Sequence, residues 1–516
     1  MEFLAKSWRQ RAGRLLIPAL LISSAILIGA APVSAETDLT GVWAADLSTG
    51  DGNILRAYLD LQQSGDQITG AFWYDINRRP ITKGTIANGR FHIEFRLWDS
   101  DPPPIGICDG VVEGAKLHLK VNVLDQMHPT GDATRTTPQA LEIPARLPLP
   151  ALHDVPDNGL SRLPPMGWSS WNHFNYKIDE VTVRATADAM VASGMRDAGY
   201  TYINIDDTWQ GPRDAQGNIT GNLKFPNLKG LADYIHSKGL KLGLYSSPGP
   251  NTCEGYLGSY GHEEQDAKTY AAWGADYFKY DWCSAGRIYQ DSDMRAVYQK
   301  MGDALQATGR PIVFSLCQYG KDDSWKWAPQ VGGNLWRTTG DIVDTWKRME
   351  QIGFAQFDIA SYARPGHWND PDMLEVGNGG MTPDEYRTHF SLWCMLAAPL
   401  LAGNDLRSMD ETTKSILLNR EVIAIDQDPL GLPAKKISDQ DKLTVAARPL
   451  KDKTWAVGLF NRGDATAKMS VNWSDLGLHG KLQVRDLWAH KDLGKVENQF
   501  SADVPSHGVI LVLIKR

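Results

Sequence analysis

Tyr277 to Cys283 reads YFKYDWC. Lys279 and Asp281 stand two residues apart inside this aromatic run. Residues two apart share one side of a strand, so the pair falls on one face. Tyr277, Phe278 and Tyr280 supply strand propensity and are expected to pack the outer face. A lysine beside an aspartate favours the ionised carboxylate and lowers its pKa. An ionised carboxylate in a pocket can act as a nucleophile. Taken alone, a Lys-x-Asp pair is more often a structural ion pair.

This pair has company. Asp341 lies in LWRTTGD, four residues after Arg337. A second carboxylate across a site could serve as acid and base. Glycoside hydrolysis uses such a pair: one carboxylate attacks the anomeric carbon and the other protonates the departing oxygen, with about 5–5.5 Å between them where configuration is retained. Asp206, Asp207 and Asp372 add acceptors suited to sugar hydroxyls. Aspartate clusters also bind hard cations, but Lys279 and the aromatic setting disfavour a dication, so no metal is expected. His262, His367 and His507 stand singly and read as structural or solvated.

These side chains need a scaffold that gathers strand ends. Short apolar strands alternate with helical stretches: YINI, LKLGLY, DYFKY, IVFSL and PLLAG, with weaker ones around MGWSS, NLWRT and GHWND. Such alternation predicts a parallel sheet. Eight units over 160–433 fit a (β/α)₈ TIM barrel, with a doubly wound open sheet as the alternative. Polar residues gather where these strands end, at Asp206-Asp207, Tyr245, Lys279 and Asp281, Cys317-Gln318, Arg337 with Asp341, and Asn369 to Asp372. Barrel enzymes carry their chemistry at that end.

The flanks read as β-structure. RFHIEFRLW and AKLHLKVNV alternate apolar and polar residues, predicting an N-terminal all-β domain over 36–150. Its proline-rich end, PARLPLPALHDVPDNGLSRLPP, reads as a linker or an ordered edge loop. From 434 to 516, KLTVAARPL, TWAVGLFNRG and GVILVLIK predict a C-terminal antiparallel β-sandwich.

Composition narrows the partners. Lys6, Arg9, Arg11 and Arg14 precede the apolar run Leu15–Ala30 and the small-residue stretch Val33-Ser34-Ala35. Residues 1–35 therefore read as a signal peptide for export to the periplasm or the outside, with a membrane anchor as the alternative. They contribute +3, so the remainder carries −11 against −8 for the whole chain. With no basic tract, nucleic acid is excluded as a partner, and after cleavage so is the membrane. Five cysteines in 516 residues are no disulfide framework, and none has zinc-ligand spacing. Eighteen tryptophans hint weakly at sugar-stacking clefts.

Several stretches, in order from about 164 to 431, resemble glycoside hydrolase family 27, the α-galactosidases or melibiases. They are PPMGWSSWNHF, YINIDDTWQGPRDAQGNI, FPNLKGLADYIHSKGLKLGLYSSPGPNTC, DAKTYAAWGADYFKYDWC, WRTTGDI, WNDPDML, AAPLLAGNDLR and IAIDQDPLG. The resemblance implies a retaining double displacement without a cofactor, acting on terminal α-galactosyl residues of a carbohydrate. It makes Asp281 the nucleophile and Asp341 the acid/base. It places Asp206 and Asp207 at the 4- and 6-hydroxyl side of the sugar, with Trp171, Tyr245, Lys279, Arg337 and Asp372 around the pocket. Cys253 and Cys283 match a disulfide pair. Many relatives carry Cys-Glu-Trp-Gly where this chain has Cys317-Gln318-Tyr319-Gly320. Gln318 and Tyr319 are therefore expected near the sugar 2-position, with an altered fine preference. Within the same family, β-L-arabinopyranose and isomaltose units are alternative substrates. The Asp206-Asp207 pair favours galactose, since a pentopyranose has no 6-hydroxymethyl. A non-catalytic carbohydrate-binding protein is the alternative of another class, and both expected catalytic aspartates count against it.

Overall fold

The computed structural model describes residues 38–74, 76–97, 103–124 and 127–516, and the expected signal peptide lies outside them. Eight antiparallel strands come first: β1 (Gly41–Ser48), β2 (Ile54–Ser64), β3 (Gln67–Tyr74), β4 (Asn77–Ala87), β5 (Arg90–Arg96), β6 (Ile105–Glu113), β7 (Lys116–Val123) and β8 (Thr130–Thr136). Each pairs with the next, and β1 also pairs with β8, so the sheet closes into a barrel. The alternation seen in the sequence is the cause of its core. In β5, Phe91, Ile93 and Phe95 turn inward and their neighbours outward. Asn88 and Gly89 join β4 to β5 with φ of 51° and 70°, the paired left-handed positions of a tight hairpin turn. Closure leaves no free sheet edge.

The proline-rich stretch that follows is an ordered edge. Val155 is buried and its amide donates to Gln330 O at 2.8 Å. Asn158 and Asn334 exchange side-chain hydrogen bonds at 3.0 and 2.9 Å.

The middle of the chain is the (β/α)₈ barrel. Its strands are β9 (Met166–Ser169), β10 (Tyr202–Asn204), β13 (Lys241–Ser246), β14 (Tyr277–Asp281), β15 (Val313–Cys317), β16 (Leu335–Arg337), β17 (Trp368–Asp370) and β18 (Leu400–Ala402). A small hairpin, β11 (Gln210–Arg213) and β12 (Ile219–Gly221), is inserted after β10. The parallel order is β17-β16-β15-β14-β13-β10-β9-β18. A bridge between Leu374, just past β17, and Ala402 of β18 closes the ring. Helices such as Leu228–Ser237, Glu263–Trp273, Met294–Ala307 and Pro383–Leu396 lie between the strands.

β14 shows how the strand face is used. Phe278 and Tyr280 point outward and meet Tyr270 and Tyr298 of the surrounding helices, at ring-centroid distances of 4.9 and 5.7 Å. Tyr277 differs from the expectation that it packs outward. It shares parity with Lys279 and Asp281 and joins Tyr202, Val313, Leu335 and Trp368, all first residues of their strands, in a separate buried cluster. The strand thus carries packing at its start and charge at its end on one inner face.

The C-terminal part is a β-sandwich. Its strands run from β19 (Lys435–Gln440) to β26 (Val509–Lys515), in a six-stranded and a two-stranded antiparallel sheet around Val457, Leu459, Val471 and Val512. Leu39 to Arg516 pack as one unit. Among the described residues, no helix is long and apolar enough to cross a membrane.

Candidate active site

The strand ends of the (β/α)₈ barrel surround a cavity of about 760 Å³. Asp206 and Asp207 enter it past β10, Tyr245 from β13, Lys279 and Asp281 from β14, and Arg337 from β16. Trp171, Tyr319, Asp341 and Asp372 complete the wall with Cys253 and Cys283, which form a disulfide. Several non-glycine residues at this site hold left-handed backbone, among them Thr208 (φ 80°), Ser284 (49°), Tyr319 (61°) and Asp372 (87°). Such strain persists only where surrounding structure enforces it, and it gathers at functional sites.

Charges in the cavity form two groups. In the first, Lys279 Nζ lies 2.8 Å from Asp206 Oδ2 and 3.8 Å from Asp281 Oδ2. The Tyr319 hydroxyl donates to Asp281 Oδ1 at 2.5 Å, and the Tyr245 hydroxyl to Oδ2 at 3.4 Å. In the second, Arg337 Nη2 lies 2.9 Å from both Asp341 Oδ1 and Asp372 Oδ2. Arg337 and Asp372 are buried, whereas the Asp341 side chain is 70% exposed to the open cavity.

Burial alters the expected electrostatics. The Asp281 carboxyl is pushed up to about 6 because desolvation outweighs Lys279 and the Tyr319 hydrogen bond. Lys279 pulls in the expected direction, but its nearer partner is Asp206, and the net shift is upward rather than downward. At Asp341, desolvation by the surrounding wall acts upward although the side chain opens onto the cavity, and the cations Arg337 and Lys279 win, so its carboxyl lies below the ordinary range. Asp207 is raised to about 7 by burial, against hydrogen bonds that include the Glu254 and Thr208 amides.

Gln318 departs from its expected place. It is fully buried and is not among the residues lining the cavity; its amide donates to Arg337 O at 3.2 Å. The cause is the left-handed turn at Tyr319, which brings the tyrosine hydroxyl to Asp281 and leaves Gln318 behind the wall. His262, His367 and His507 also lie away from the cavity lining. The tryptophans mostly build core: Trp168, Trp209, Trp336, Trp368 and Trp393 are fully buried, and Trp171 is the one that lines the cavity among the described residues.

Sequence reasoning missed Glu375, one position past the WNDPDML stretch. It lines the cavity, is raised to about 7 by burial, and accepts from Asn378 at 2.7 Å and from Asn172. It also missed the far wall, which comes from the N-terminal barrel.

The family model described as Alpha galactosidase A matches residues 163–428, more than half of the chain. The chain belongs to the α-galactosidase (melibiase) family. A second model, the α-galactosidase C-terminal β-sandwich domain, matches 440–514. Both segments begin after β8, so the N-terminal barrel lies outside them. The α-galactosidase of Cyamopsis tetragonoloba is 52% identical over 357 residues, covering 68% of this chain and 86% of its own length. The crystal structure of α-galactosidase I from Mortierella vinacea superposes with a TM-score of 0.68 at 40% identity, covering 70% of this chain and 98% of that one. The Saccharomyces cerevisiae α-galactosidase solved with raffinose gives 0.66 at 28% identity, covering 69% and 98%.

Proposed function

We propose that this protein is a retaining exo-α-galactosidase, releasing terminal α-D-galactosyl residues from oligo- or polysaccharides by double displacement. The observation that carries the reading is the pair Asp281 and Asp341 on one cavity of a family member, each held by its own hydrogen-bonding group. Asp281 attacks the anomeric carbon as the C–O bond to the leaving group breaks, and the Asp341 proton goes to the departing oxygen. Water then attacks the galactosyl–Asp281 ester while Asp341 takes its proton.

The resting site favours the proton on Asp281 over Asp341. Catalysis needs the reverse. Bound sugar supplies the change: its hydroxyls donate to the Asp281 carboxylate, and the glycosidic oxygen accepts from Asp341. Once Asp281 is esterified its charge is gone, which lowers the Asp341 pKa for the second step. Asp206 and Asp207 line the cavity, and as acceptors for the 4- and 6-hydroxyls they favour galactose over a pentopyranose. Raffinose, the ligand of the yeast relative, ends in an α-galactosyl unit.

Asp281→Asn tests the assignment. Hydrolysis of an aryl α-galactoside should fall on the order of 10³-fold or more, and wild type should release α-galactose as the first product by NMR. Undiminished turnover, or first-formed β-galactose, overturns the reading. We also infer export, from the basic and apolar pattern of residues 1–30. N-terminal sequencing of the mature protein should begin at Glu36, and an intact Met1 in the native host refutes it.

A further inference from the structure

The cavity at Asp281 does not end within the catalytic barrel. Its far side is the mouth of β1–β8, where the β3–β4 hairpin stands. The register of that hairpin sets Phe72 opposite Arg79, Trp73 opposite Arg78 and Tyr74 opposite Asn77. Directly opposed residues share a face, and so do residues two apart along a strand. Phe72, Tyr74, Asn77 and Arg79 therefore fall on one face. All four line the cavity, whereas Trp73 and Arg78 do not. Phe72 is buried in the barrel core, stacked on Phe95 with 4.3 Å between ring centroids. The surface that a ligand meets is the half-buried rim of Tyr74, Asn77 and Arg79.

Two contacts hold this rim against the catalytic barrel. Asp51, in the turn between β1 and β2, is buried; it accepts from the Tyr256 hydroxyl at 2.8 Å and lies 3.4 Å from Lys224 Nζ. Glu254 links the two domains through its backbone. Its amide donates to Asp207 Oδ2 at 3.0 Å, and its carbonyl accepts from the Tyr74 hydroxyl at the end of β3. The next residue is Gly255 with φ of 81°, where a Cβ would come within 2.6 Å of that hydroxyl. A single residue thus spans from the rim to an aspartate of the sugar pocket.

Arg79 is the unusual member of that face, a guanidinium at the mouth of a barrel whose core is apolar. Its Nη1 donates to Leu97 O just past β5, which braces it across the mouth. Its Nε is buried without a hydrogen-bond partner, and among the described residues no carboxylate pairs with it. A buried N–H without an acceptor is costly, and a guanidinium only donates. The occupant that suits this rim therefore brings acceptors. The hydroxyl and ring oxygens of a sugar are such acceptors, and the Tyr74 ring adds an apolar face. A hydrocarbon brings none, and an anion meets the carboxylates of Asp206, Asp207 and Asp341 in the same cavity. The galactosyl unit takes the strand-end side at Asp206 and Asp281. Asp341 opens onto the cavity, so the group that receives its proton extends towards the rim. We propose that Arg79, with Tyr74 and Asn77, forms the leaving-group subsite and that it holds the second sugar of an α-galactosyl oligosaccharide. This rests on the α-galactosidase reading above and makes the N-terminal barrel part of the active site.

A retaining enzyme takes a sugar acceptor where it released the leaving sugar, because the second step mirrors the first. The test uses the full chain, with α-D-galactosyl fluoride as donor and D-glucose as acceptor. Fluoride departs and leaves Asp281 galactosylated. A glucose hydroxyl then competes with water for the anomeric carbon; Asp341 takes its proton and the ester bond to Asp281 breaks. The ratio of transfer to hydrolysis is read only on folded molecules, so a lower yield of folded enzyme does not move it. Arg79→Ala should lower that ratio about 10–100-fold, the range for losing a hydrogen bond to a charged group. Its loss of kcat/KM on melibiose should exceed its loss on galactosyl fluoride by a similar factor. Arg79→Lys keeps the charge without the planar fork and should fall between the two proteins; it carries the same test where Arg79→Ala does not accumulate. An unchanged ratio, or equal losses on melibiose and galactosyl fluoride, overturns the subsite. If wild type releases no fluoride from the donor, the reading beneath falls and the subsite with it. If it releases fluoride yet transfers no galactosyl group to glucose, the subsite alone falls.

Discussion

The Tyr319 hydroxyl donates to Asp281 Oδ1 at 2.5 Å. Burial pushes the Asp281 carboxyl up to about 6, with Lys279 and this hydrogen bond opposing it. A hydrogen bond to a charged group is worth about 1.5–3 kcal/mol, and one pH unit corresponds to about 1.36 kcal/mol. Tyr319→Phe keeps the ring and removes the donor, so the carboxyl should rise by about one to two pH units. The nucleophile is the ionised form, so the loss appears on the acid side. Because Asp341 must carry the proton that rests on Asp281, the alkaline limb of kcat/KM, which reports the free enzyme, should move from near pH 6 to roughly 7–8. At pH 5, kcat/KM for an aryl α-galactoside should fall about 10–100-fold, and the two enzymes should converge as the pH passes 8. The assay is a pH–rate profile of both proteins with one substrate. An alkaline limb that stays near 6, or a loss of equal size at pH 5 and pH 9, refutes the reasoning.

Asp341→Ala should cost on the order of 10²–10⁴-fold on melibiose, whose leaving group needs a proton. It should cost far less in the first step on a dinitrophenyl galactoside, and azide should restore turnover with α-galactosyl azide as product; no rescue by azide counts against the acid/base role. Glu375 has its carboxyl raised from 4.5 to about 7 by burial. The native protein holds this proton where the unfolded chain has released it, so stability falls as pH rises from about 4.5 to about 7, by up to about 3 kcal/mol. Glu375→Gln should flatten that part of the Tm-against-pH curve, raising Tm at pH 8 relative to wild type. Cys253 and Cys283 close a loop of sequence separation 30, for which chain entropy gives about 3–4 kcal/mol. Cys253→Ser/Cys283→Ser should lower the denaturation midpoint by a corresponding amount and raise KM, because the pair lines the cavity.

Periodicity and residue type carried most of the architecture. The eight parallel strands fall on the short apolar runs, and the parity of Lys279 and Asp281 put both on one face. The same parity applies to Tyr277, whose aromatic character pointed to the helix side but whose position points inward. Gln318 and Tyr319 could not be told apart by counting, because a positive φ at Tyr319 breaks the strand alternation just where the cavity begins. Proximity of Lys279 to Asp281 was legible, but the depth of burial that decides the sign of the Asp281 shift was not. An alternating pattern is the same in an open sheet and a closed one, so neither the closure of β1–β8 nor the way its mouth meets the catalytic cavity was written in strand-level signals. Glu375 was not singled out because the burial that raises its carboxyl, and its contact with Asn172, come from the folded barrel; the nearby Asn378 carried no signal of its own.

The closure of the catalytic ring has a consequence for how the chain is made. β9 pairs with β18, Met166 opposite Leu400, so the ring waits for nearly the last strand of its domain to leave the ribosome. The first eight strands pair mostly with sequence neighbours and complete themselves when β8 meets β1. Local antiparallel pairing is fast and long-range parallel pairing slow. The N-terminal barrel is therefore finished while the catalytic barrel is still an open ribbon, and during synthesis the turn holding Asp51 awaits Tyr256 and Asn222. A lesion in the first eight strands would surface first as low yield of folded enzyme, before any change in the turnover of the molecules that do fold.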